Sequence, residues 1–297
     1  MPKLAAFPKG DFDALCAHTK MLEVWLDEAA TLPIAGIEMY PDFYPMRSHT
    51  EVLKIHAEAR QRGLAVPMMC TSPDFTHPNP DHRESQVHQM TFWIECMGAT
   101  GEGLKTCRVL SGQRRPEVQT EQGIRWVIEG IEALLPIAEQ HGVVLVMENH
   151  YKDGNWIYPE FAQDMGRFTE IVESIDSPWF GINFDPSNAL VAGQDPLEVL
   201  QRFRHRIRTM HASDRHLKPG YSLEDTQAYS GCGYPDALEH GVVGTGLIDY
   251  DAVFDVLQAE HFSGWISIED GINGLGDLRR SAEFLNEKLK EYFPSAM

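Results

Sequence analysis

Residues 140–150 read QHGVVLVMENH, and this stretch decides the fold. A segment of helical period ends just before Gly142, the residue type that most often follows a helix C-terminus. The apolar run VVLVM that comes next is typical of a fully buried strand. It ends at Glu148, with His150 two residues further on. A helix, a buried strand and then polar residues is the repeating unit of parallel α/β proteins.

The same unit recurs along the whole chain. The predicted strands are residues 4–7, 36–40, 65–70, 104–110, 143–148, 180–184, 207–211 and 264–269. The predicted helices are residues 17–32, 49–62, 80–99, 120–141, 160–175, 196–205, 249–261 and 275–292. Eight such units in 297 residues predict one (β/α)8 TIM barrel over residues 1–297, because this fold takes about 250 residues. A doubly wound sheet is disfavoured, since no GxGxxG follows the first strand.

Composition narrows the class of protein further. With 43% hydrophobic and 23% charged residues the chain is an ordinary globular protein, and it contains no apolar run of membrane-spanning length. The formal net charge of −19 argues against a protein that binds nucleic acid. The five cysteines lack CxxC spacing, and the N-terminus lacks the apolar core of a secretory signal. We therefore expect a cytoplasmic protein with reduced thiols and with neither nucleic-acid nor membrane partners.

Four consecutive strands end in residues that bind metal ions. Glu148 ends the fifth strand, Asp185 the sixth, His211 the seventh and Glu269 the eighth. Barrel enzymes place their chemistry at this end of the strands, so we expect the four side chains to meet on one rim. Three carboxylates and one imidazole suit one divalent cation such as Mn²⁺, Mg²⁺ or Co²⁺, whereas Zn²⁺ more often recruits additional His or Cys ligands.

The motifs around these residues resemble a known family. They are VMENH (146–150), NFDPSN (183–188), HASD (211–214), VGTGLIDY (243–250) and IED (268–270). Together they resemble the xylose-isomerase-like barrel superfamily, specifically its sugar isomerase and epimerase group, which includes ketose 3-epimerases, hydroxypyruvate isomerase and inosose dehydratase. The resemblance covers essentially the whole chain.

The resemblance implies a chemistry and a site. One metal ion, most often Mn²⁺, is held by Glu148, Asp185, His211 and Glu269. The two glutamates flank a small sugar-like substrate and exchange a proton with carbon, and the metal stabilises the enediolate. The predicted function is therefore a metal-dependent sugar isomerase or epimerase. Family members are often dimers or tetramers, so we also expect a homo-oligomer.

The chain departs from the ketose 3-epimerases at two positions. Asn188 stands where those enzymes have a substrate-binding His. Leu217 stands where they have a substrate-binding Arg, and Arg215 is our candidate replacement. From their places at or near strand ends, Asp214, Glu38 and Arg108 are further candidates for contacts with the substrate.

His150 opens an alternative reaction. Side chains alternate along a strand, so His150 points the same way as Glu148 if the strand continues. An imidazole beside the metal suits a lyase, either a dehydratase or an enzyme that cleaves keto-sugar glycosides by β-elimination. The other interpretation of His150 is a hydrogen-bonding role behind the metal ligands.

Two further classes of protein are remote alternatives. A metal nuclease of the apurinic endonuclease type belongs to the same superfamily, but it needs additional ligands on the early strands. A sugar-binding protein without catalysis would have lost a metal ligand, and all four candidates are present. The long glycine-rich stretch 212–247 is expected to be a functional loop over the catalytic face.

Overall fold

The computed structural model describes residues 1–100, 103–227 and 233–294. These residues form the strands β1 (Lys3–Ala6), β2 (Gly36–Met39), β3 (Ala65–Met69), β4 (Thr106–Val109), β5 (Val144–Glu148), β6 (Phe180–Phe184), β7 (Ile207–Ala212), β8 (Asp214–Leu217), β9 (Leu238–Gly241) and β10 (Trp265–Ile268). The α-helices are α1 (Phe12–Cys16), α2 (Leu22–Ala29), α3 (His49–Gln61), α4 (Pro80–Ala99), α5 (Thr120–His141), α6 (Met165–Ser174), α7 (Pro186–Val191), α8 (Pro196–Phe203), α9 (Leu223–Gln227), α10 (Tyr250–Ala259) and α11 (Leu275–Tyr292).

Strands β1 to β7 and β10 close into one parallel barrel. Closure is made by β1 and β10, which pair in parallel with Ala6 opposite Ile268. The closed sheet has no free edge, and helices flank it on the outside. This confirms the predicted (β/α)8 barrel.

The unit around residue 142 shows how the sequence specifies the fold. Helix α5 ends at His141, and Gly142 takes the left-handed conformation with φ of 62°, which costs a glycine little. Strand β5 follows at once, and all of its residues are buried. Helix α5 turns one apolar stripe to the barrel, and its members recur at intervals of three or four residues: Ile124, Val127, Ile131 and Leu134.

Three predicted helices have different bounds in the structure. The predicted helix 17–32 is shorter in the structure, where α2 covers Leu22–Ala29, because His18 adopts a positive φ of 52° and separates α1 from α2. The predicted helix 160–175 begins only at α6, where the Asp164 side chain accepts a hydrogen bond from the Arg167 N–H. The predicted helix 196–205 ends at Phe203 and continues as one 3₁₀ turn.

The stretch 212–247 contains regular structure that its sequence did not predict. Strands β8 and β9 form an antiparallel pair in which Arg215 lies opposite His240. Helix α9 lies between the two strands in the sequence. The glycine-rich composition suggested an unstructured loop, but glycine is also frequent in the turns that join short strands. No helix within the described ranges is both long enough and apolar enough to cross a membrane.

Candidate metal centre and active site

The barrel brings the four residues at its strand ends into one buried cluster. Glu148 is the last residue of β5, His211 lies within β7, and Asp185 and Glu269 directly follow β6 and β10. One ligand atom from each lies within 4.8 Å of the others. Because parallel strands all end on the same rim, positions far apart in sequence converge there.

The two nitrogens of the His211 ring have different partners. Its Nδ1 lies 3.3 Å from Glu148 Oε1 and 3.1 Å from Glu269 Oε2. Its Nε2 lies 2.9 Å from Glu38 Oε2, and the thiol of Cys70 also donates to that oxygen at 3.2 Å. Nδ1 is therefore the nitrogen that faces the candidate ligands Glu148 and Glu269, while Glu38 contacts the opposite nitrogen of the ring.

Asp185 offers the clearest sign that the cluster fits a cation. Its Oδ1 accepts hydrogen bonds from the Ser187 and Ser213 hydroxyls, at 3.0 and 2.7 Å, and from the Asn188 N–H at 2.9 Å. Its Oδ2 is buried without a hydrogen-bond partner among the described residues. A buried carboxylate oxygen without a partner is costly, and a bound metal ion would satisfy it.

The charges in the cluster support the same conclusion. Burial opposes the imidazolium form of His211, yet Glu38, Glu148 and Glu269 together raise its pKa well above the ordinary value. Burial, aided by the charges on Glu269 and Glu148, raises the pKa of Asp185. The carboxylates thus crowd negative charge at one point, and a divalent cation would relieve their repulsion.

A positively charged side chain contacts the second carboxylate oxygen of each of the two glutamates, Glu148 and Glu269. Lys9 Nζ lies 3.0 Å from Glu269 Oε1, and Arg108 Nη1 lies 2.9 Å from Glu148 Oε2. Burial alone would raise the pKa of Glu148, but the positive charges of His211 and Arg108 outweigh it and hold the pKa at about 2. Lys9 and His211 likewise overcome burial and lower the pKa of Glu269 well below its ordinary value. Both glutamates are therefore held as weakly basic anions.

A cavity of about 210 Å³ opens beside the cluster. Phe7, Phe12 and Tyr40 form an aromatic wall, and Glu269 and Arg108 are among its polar lining residues. His150 lines the same cavity, although β5 ends two residues before it. A small polar compound that enters this cavity would reach Glu269 and His150 together.

The other residues predicted to contact substrate lie outside the lining of this cavity. Glu38 is engaged with His211, as described above. Asn188 Nδ2 donates to Glu148 Oε1 at 3.1 Å. Arg215 is buried and donates to the Asp214 carbonyl at 2.8 Å. Asp214 is also fully buried, and its carboxylate accepts hydrogen bonds from backbone N–H groups of residues 244–248.

Sequence reasoning missed Lys9 and Asp153. Asp153 accepts hydrogen bonds from Ser72 Oγ at 2.6 Å and from Tyr40 Oη at 3.3 Å, and it lines the cavity. Lys9 comes three residues after β1, so attention to the residues just beyond every strand, including the first, would have found it. Asp153 lies five residues beyond β5, where no sequence rule gives the direction of a side chain.

Comparison with known proteins identifies the family. Residues 26–288 match the family described as xylose isomerase-like TIM barrel. The chain therefore belongs to that family, and the resemblance predicted from the motifs is confirmed.

Individual relatives are more distant. The chain is 22% identical to inosose dehydratase from Bacillus thuringiensis (strain Al Hakam) over 191 residues, which are 63% of this chain and 60% of that protein. The match thus spans less than two thirds of the relative's length. Among solved structures, a D-tagatose 3-epimerase-like protein superposes with a TM-score of 0.73 at 18% identity, over 98% of both chains. The IOLI protein with a bound zinc atom gives a TM-score of 0.70 at 16% identity, over 98% of this chain and 99% of that one.

Proposed function

We propose that this protein is a divalent-metal-dependent enzyme that removes a proton next to the carbonyl group of a small polyhydroxy compound. The observation that carries the proposal is the buried cluster of Glu148, Asp185, His211 and Glu269 beside the cavity. The orphaned Oδ2 of Asp185 adds to it. A carboxylate-rich set of this kind favours Mn²⁺, with Mg²⁺, Co²⁺ and Zn²⁺ as the other candidates.

The four residues would hold the metal ion through Glu148 Oε1, Glu269 Oε2, His211 Nδ1 and the free Oδ2 of Asp185. When bound, the ion supplies a Lewis acid that polarises the substrate carbonyl and stabilises the anion left by loss of the proton. The barrel keeps these ligands away from bulk water, which strengthens the electrostatic interaction.

The type of reaction depends on which residue is the base that takes the proton. A carboxylate paired with a cation has a lowered proton affinity, and a good general base has a pKa near the working pH. Glu148 is paired with Arg108, and Glu269 with Lys9. His150 lines the cavity and is paired with neither cation. We therefore assign the role of base to His150.

A single base on one face of the substrate favours an elimination over an isomerisation or epimerisation. His150 takes the proton from the carbon next to the carbonyl, and the electron pair of that bond becomes the new carbon–carbon double bond. The carbon–oxygen bond at the next carbon breaks, and its oxygen leaves with the bonding electrons. That oxygen takes up the proton that His150 received, so it departs as water, or as an alcohol if the substrate is a glycoside, and His150 returns to its neutral form. The proposed function is thus a lyase acting on a keto-sugar or a related polyhydroxy ketone.

The isomerase or epimerase remains the second candidate. The observation in its favour is that Glu148 and Glu269 approach His211 Nδ1 within 3.3 and 3.1 Å, so that two carboxylates border the same point. Proton return to the opposite face or to the neighbouring carbon would need one of these glutamates as its acid. It would also require substrate to displace Lys9 or Arg108 from that glutamate.

The test is metal content together with reaction in D₂O on a panel of ketoses and keto-sugars. We expect bound divalent metal, entry of deuterium next to the carbonyl, and a product that has lost water or an alcohol. His150→Asn should abolish turnover and retain metal, and Glu269→Gln should lose metal. His216→Asn, at a histidine that lies outside the lining of the cavity, is the matched control and should stay active. A product of unchanged formula would select the isomerase or epimerase, and absence of both metal and exchange would refute the proposal.

A further inference from the structure

We propose that Glu160 is the positioning residue of His150. Its carboxylate holds the imidazole at Nδ1, so that Nε2 is the atom presented to the cavity. This inference rests on the proposed function, in which His150 takes the proton, and it names the group that makes one nitrogen the base.

Glu160 is a buried carboxylate with no contact to solvent. Its Oε1 accepts hydrogen bonds from both the backbone N–H and the hydroxyl of Ser111, the former at 2.7 Å. The Glu160 backbone is fixed as well, since its N–H donates to the carbonyl of Tyr151 at 2.8 Å. Because Ser111 follows β4 and Tyr151 follows β5, two adjacent barrel strands set the position of this carboxylate.

The second oxygen of Glu160 faces His150. Oε2 lies 3.8 Å from His150 Nδ1, and neither atom has a hydrogen-bond partner within the described parts of the chain. A hydrogen bond needs about 2.9 Å, so a movement of about 1 Å would form it. Hydrogen bonds in catalytic sites are often long before substrate binds and shorten in the complex.

The arrangement fixes which nitrogen can act as a base. A neutral imidazole has one N–H and one lone pair. If Glu160 accepts from Nδ1–H, the lone pair lies on Nε2, the other nitrogen of a ring that lines the cavity. Catalytic bases are commonly oriented in this way by a third group, and the wrong tautomer cannot take the proton.

A purely structural role for Glu160 makes a different prediction. In that case the carboxylate only ties the segment after β5 to Ser111, and the tautomer of His150 does not depend on it. Gln113 supplies a matched control, because its Oε1 accepts from the N–H groups of Ile157 and Tyr158, at 2.9 and 3.1 Å, in the same segment. Gln113→Ala removes these two hydrogen bonds and leaves the side chains of Glu160 and His150 unaltered.

The deciding experiment is the tautomer of His150, read from nitrogen NMR shifts of protein with ¹⁵N-labelled histidine. His150→Asn assigns the signal. We expect Nδ1–H in the wild type and Nε2–H in Glu160→Gln, since the amide oxygen can keep the bonds to Ser111 while its NH₂ group faces Nδ1. Gln113→Ala should keep Nδ1–H. The fastest-exchanging substrate of the panel should then show kcat lowered about 10²–10⁴-fold in Glu160→Gln, with KM and metal content nearly unchanged.

Nε2–H in the wild type would overturn the inference, and so would an unchanged tautomer in Glu160→Gln. The wild-type spectrum decides even if that variant fails to fold. The spectrum needs no substrate, so its result is independent of the lyase assay. If the tautomer switches as expected and no member of the panel reacts, the proposed function fails by itself. If the lyase is active and the tautomer does not switch, only the role of Glu160 fails.

Discussion

Glu38 Oε2 lies 2.9 Å from Nε2 of His211. A carboxylate only accepts hydrogen bonds, so this contact keeps a hydrogen on Nε2 and leaves Nδ1 as the nitrogen that can bind a metal ion. Histidine ligands in metal sites are commonly held by such a carboxylate, which fixes the ring and strengthens it as a ligand. Glu38 was expected at the substrate, and in the structure its carboxylate supports a candidate metal ligand.

The first prediction concerns this contact. Glu38→Gln should weaken Mn²⁺ binding about 10–100-fold, because the ring loses its charged partner. Competition with a coloured chelator measures the dissociation constant. Cys70→Ala is the control, since the thiol also contacts Glu38 Oε2 but carries no charge to His211. Equal Mn²⁺ affinity in wild type and Glu38→Gln would show that Glu38 does not support the ligand.

The second prediction concerns Asp185. A free Mn²⁺ concentration about 100 times the dissociation constant should raise the free energy of unfolding of the wild type by about 2.7 kcal/mol. Asp185→Asn should lose most of that gain. Asp185 and Asp249 both cap helices, α7 and α10, through side-chain hydrogen bonds. Asp249→Asn is therefore a matched control that alters a cap and should keep the full gain. Thermal unfolding with and without Mn²⁺ is the measurement, and equal gains in the two variants would contradict the metal site.

The third prediction concerns Asp214, which sequence reasoning placed at the substrate. Its Oδ2 accepts from the N–H groups of Gly244 and Gly246, both at 2.9 Å, and its Oδ1 accepts from Ile248 N–H at 3.1 Å. In Asp214→Asn an amide NH₂ would face backbone N–H groups. We expect the free energy of unfolding to fall by about 1–3 kcal/mol, with KM changed little. Urea unfolding and steady-state kinetics test this, and a large rise in KM at unchanged stability would instead support the substrate role predicted from the sequence.

The fourth prediction concerns the dependence of the free energy of unfolding on pH through His56, a buried residue that packs against Tyr44. Its Nε2 lies 2.7 Å from Tyr44 Oη. Burial, assisted by the charge on Arg60, lowers the pKa of His56 from 6.5 to about 4. The folded protein keeps this ring neutral, whereas the unfolded chain binds a proton below pH 6.5. The contribution to stability is thus complete above pH 6.5 and is lost as the pH falls toward 4.

The expected size of this loss is about 3 kcal/mol, since one pKa unit corresponds to about 1.4 kcal/mol. His56→Gln should flatten the dependence of unfolding free energy on pH between pH 6.5 and 4. Urea unfolding across that range is the measurement. An identical slope in His56→Gln and wild type would contradict the assignment.

Much of the fold was predictable because it depends on local patterns. Short buried runs, helical periodicity and signals such as Gly142 are set by residues close in sequence, so the barrel strands and most helices were predicted. Helix α7 was missed, although Asp185 and Pro186 are a typical capping residue and first-turn residue. The pair β8 and β9 was missed because its two strands are separated by a long connection, and no local pattern shows that they pair.

The sequence by itself determined that Glu148, Asp185, His211 and Glu269 stand at the ends of neighbouring strands. Parallel strands end on one rim, so their meeting is a consequence of the order of elements alone. Only the tertiary structure decided that Lys9 binds Glu269, 260 positions away, because closure of the barrel between β1 and β10 brings the two ends of the chain together. The direction of Glu38 toward His211, and of Glu160 toward His150, was also decided there. Those contacts depend on how side chains from separate strands pack around one point, which no spacing along the chain encodes.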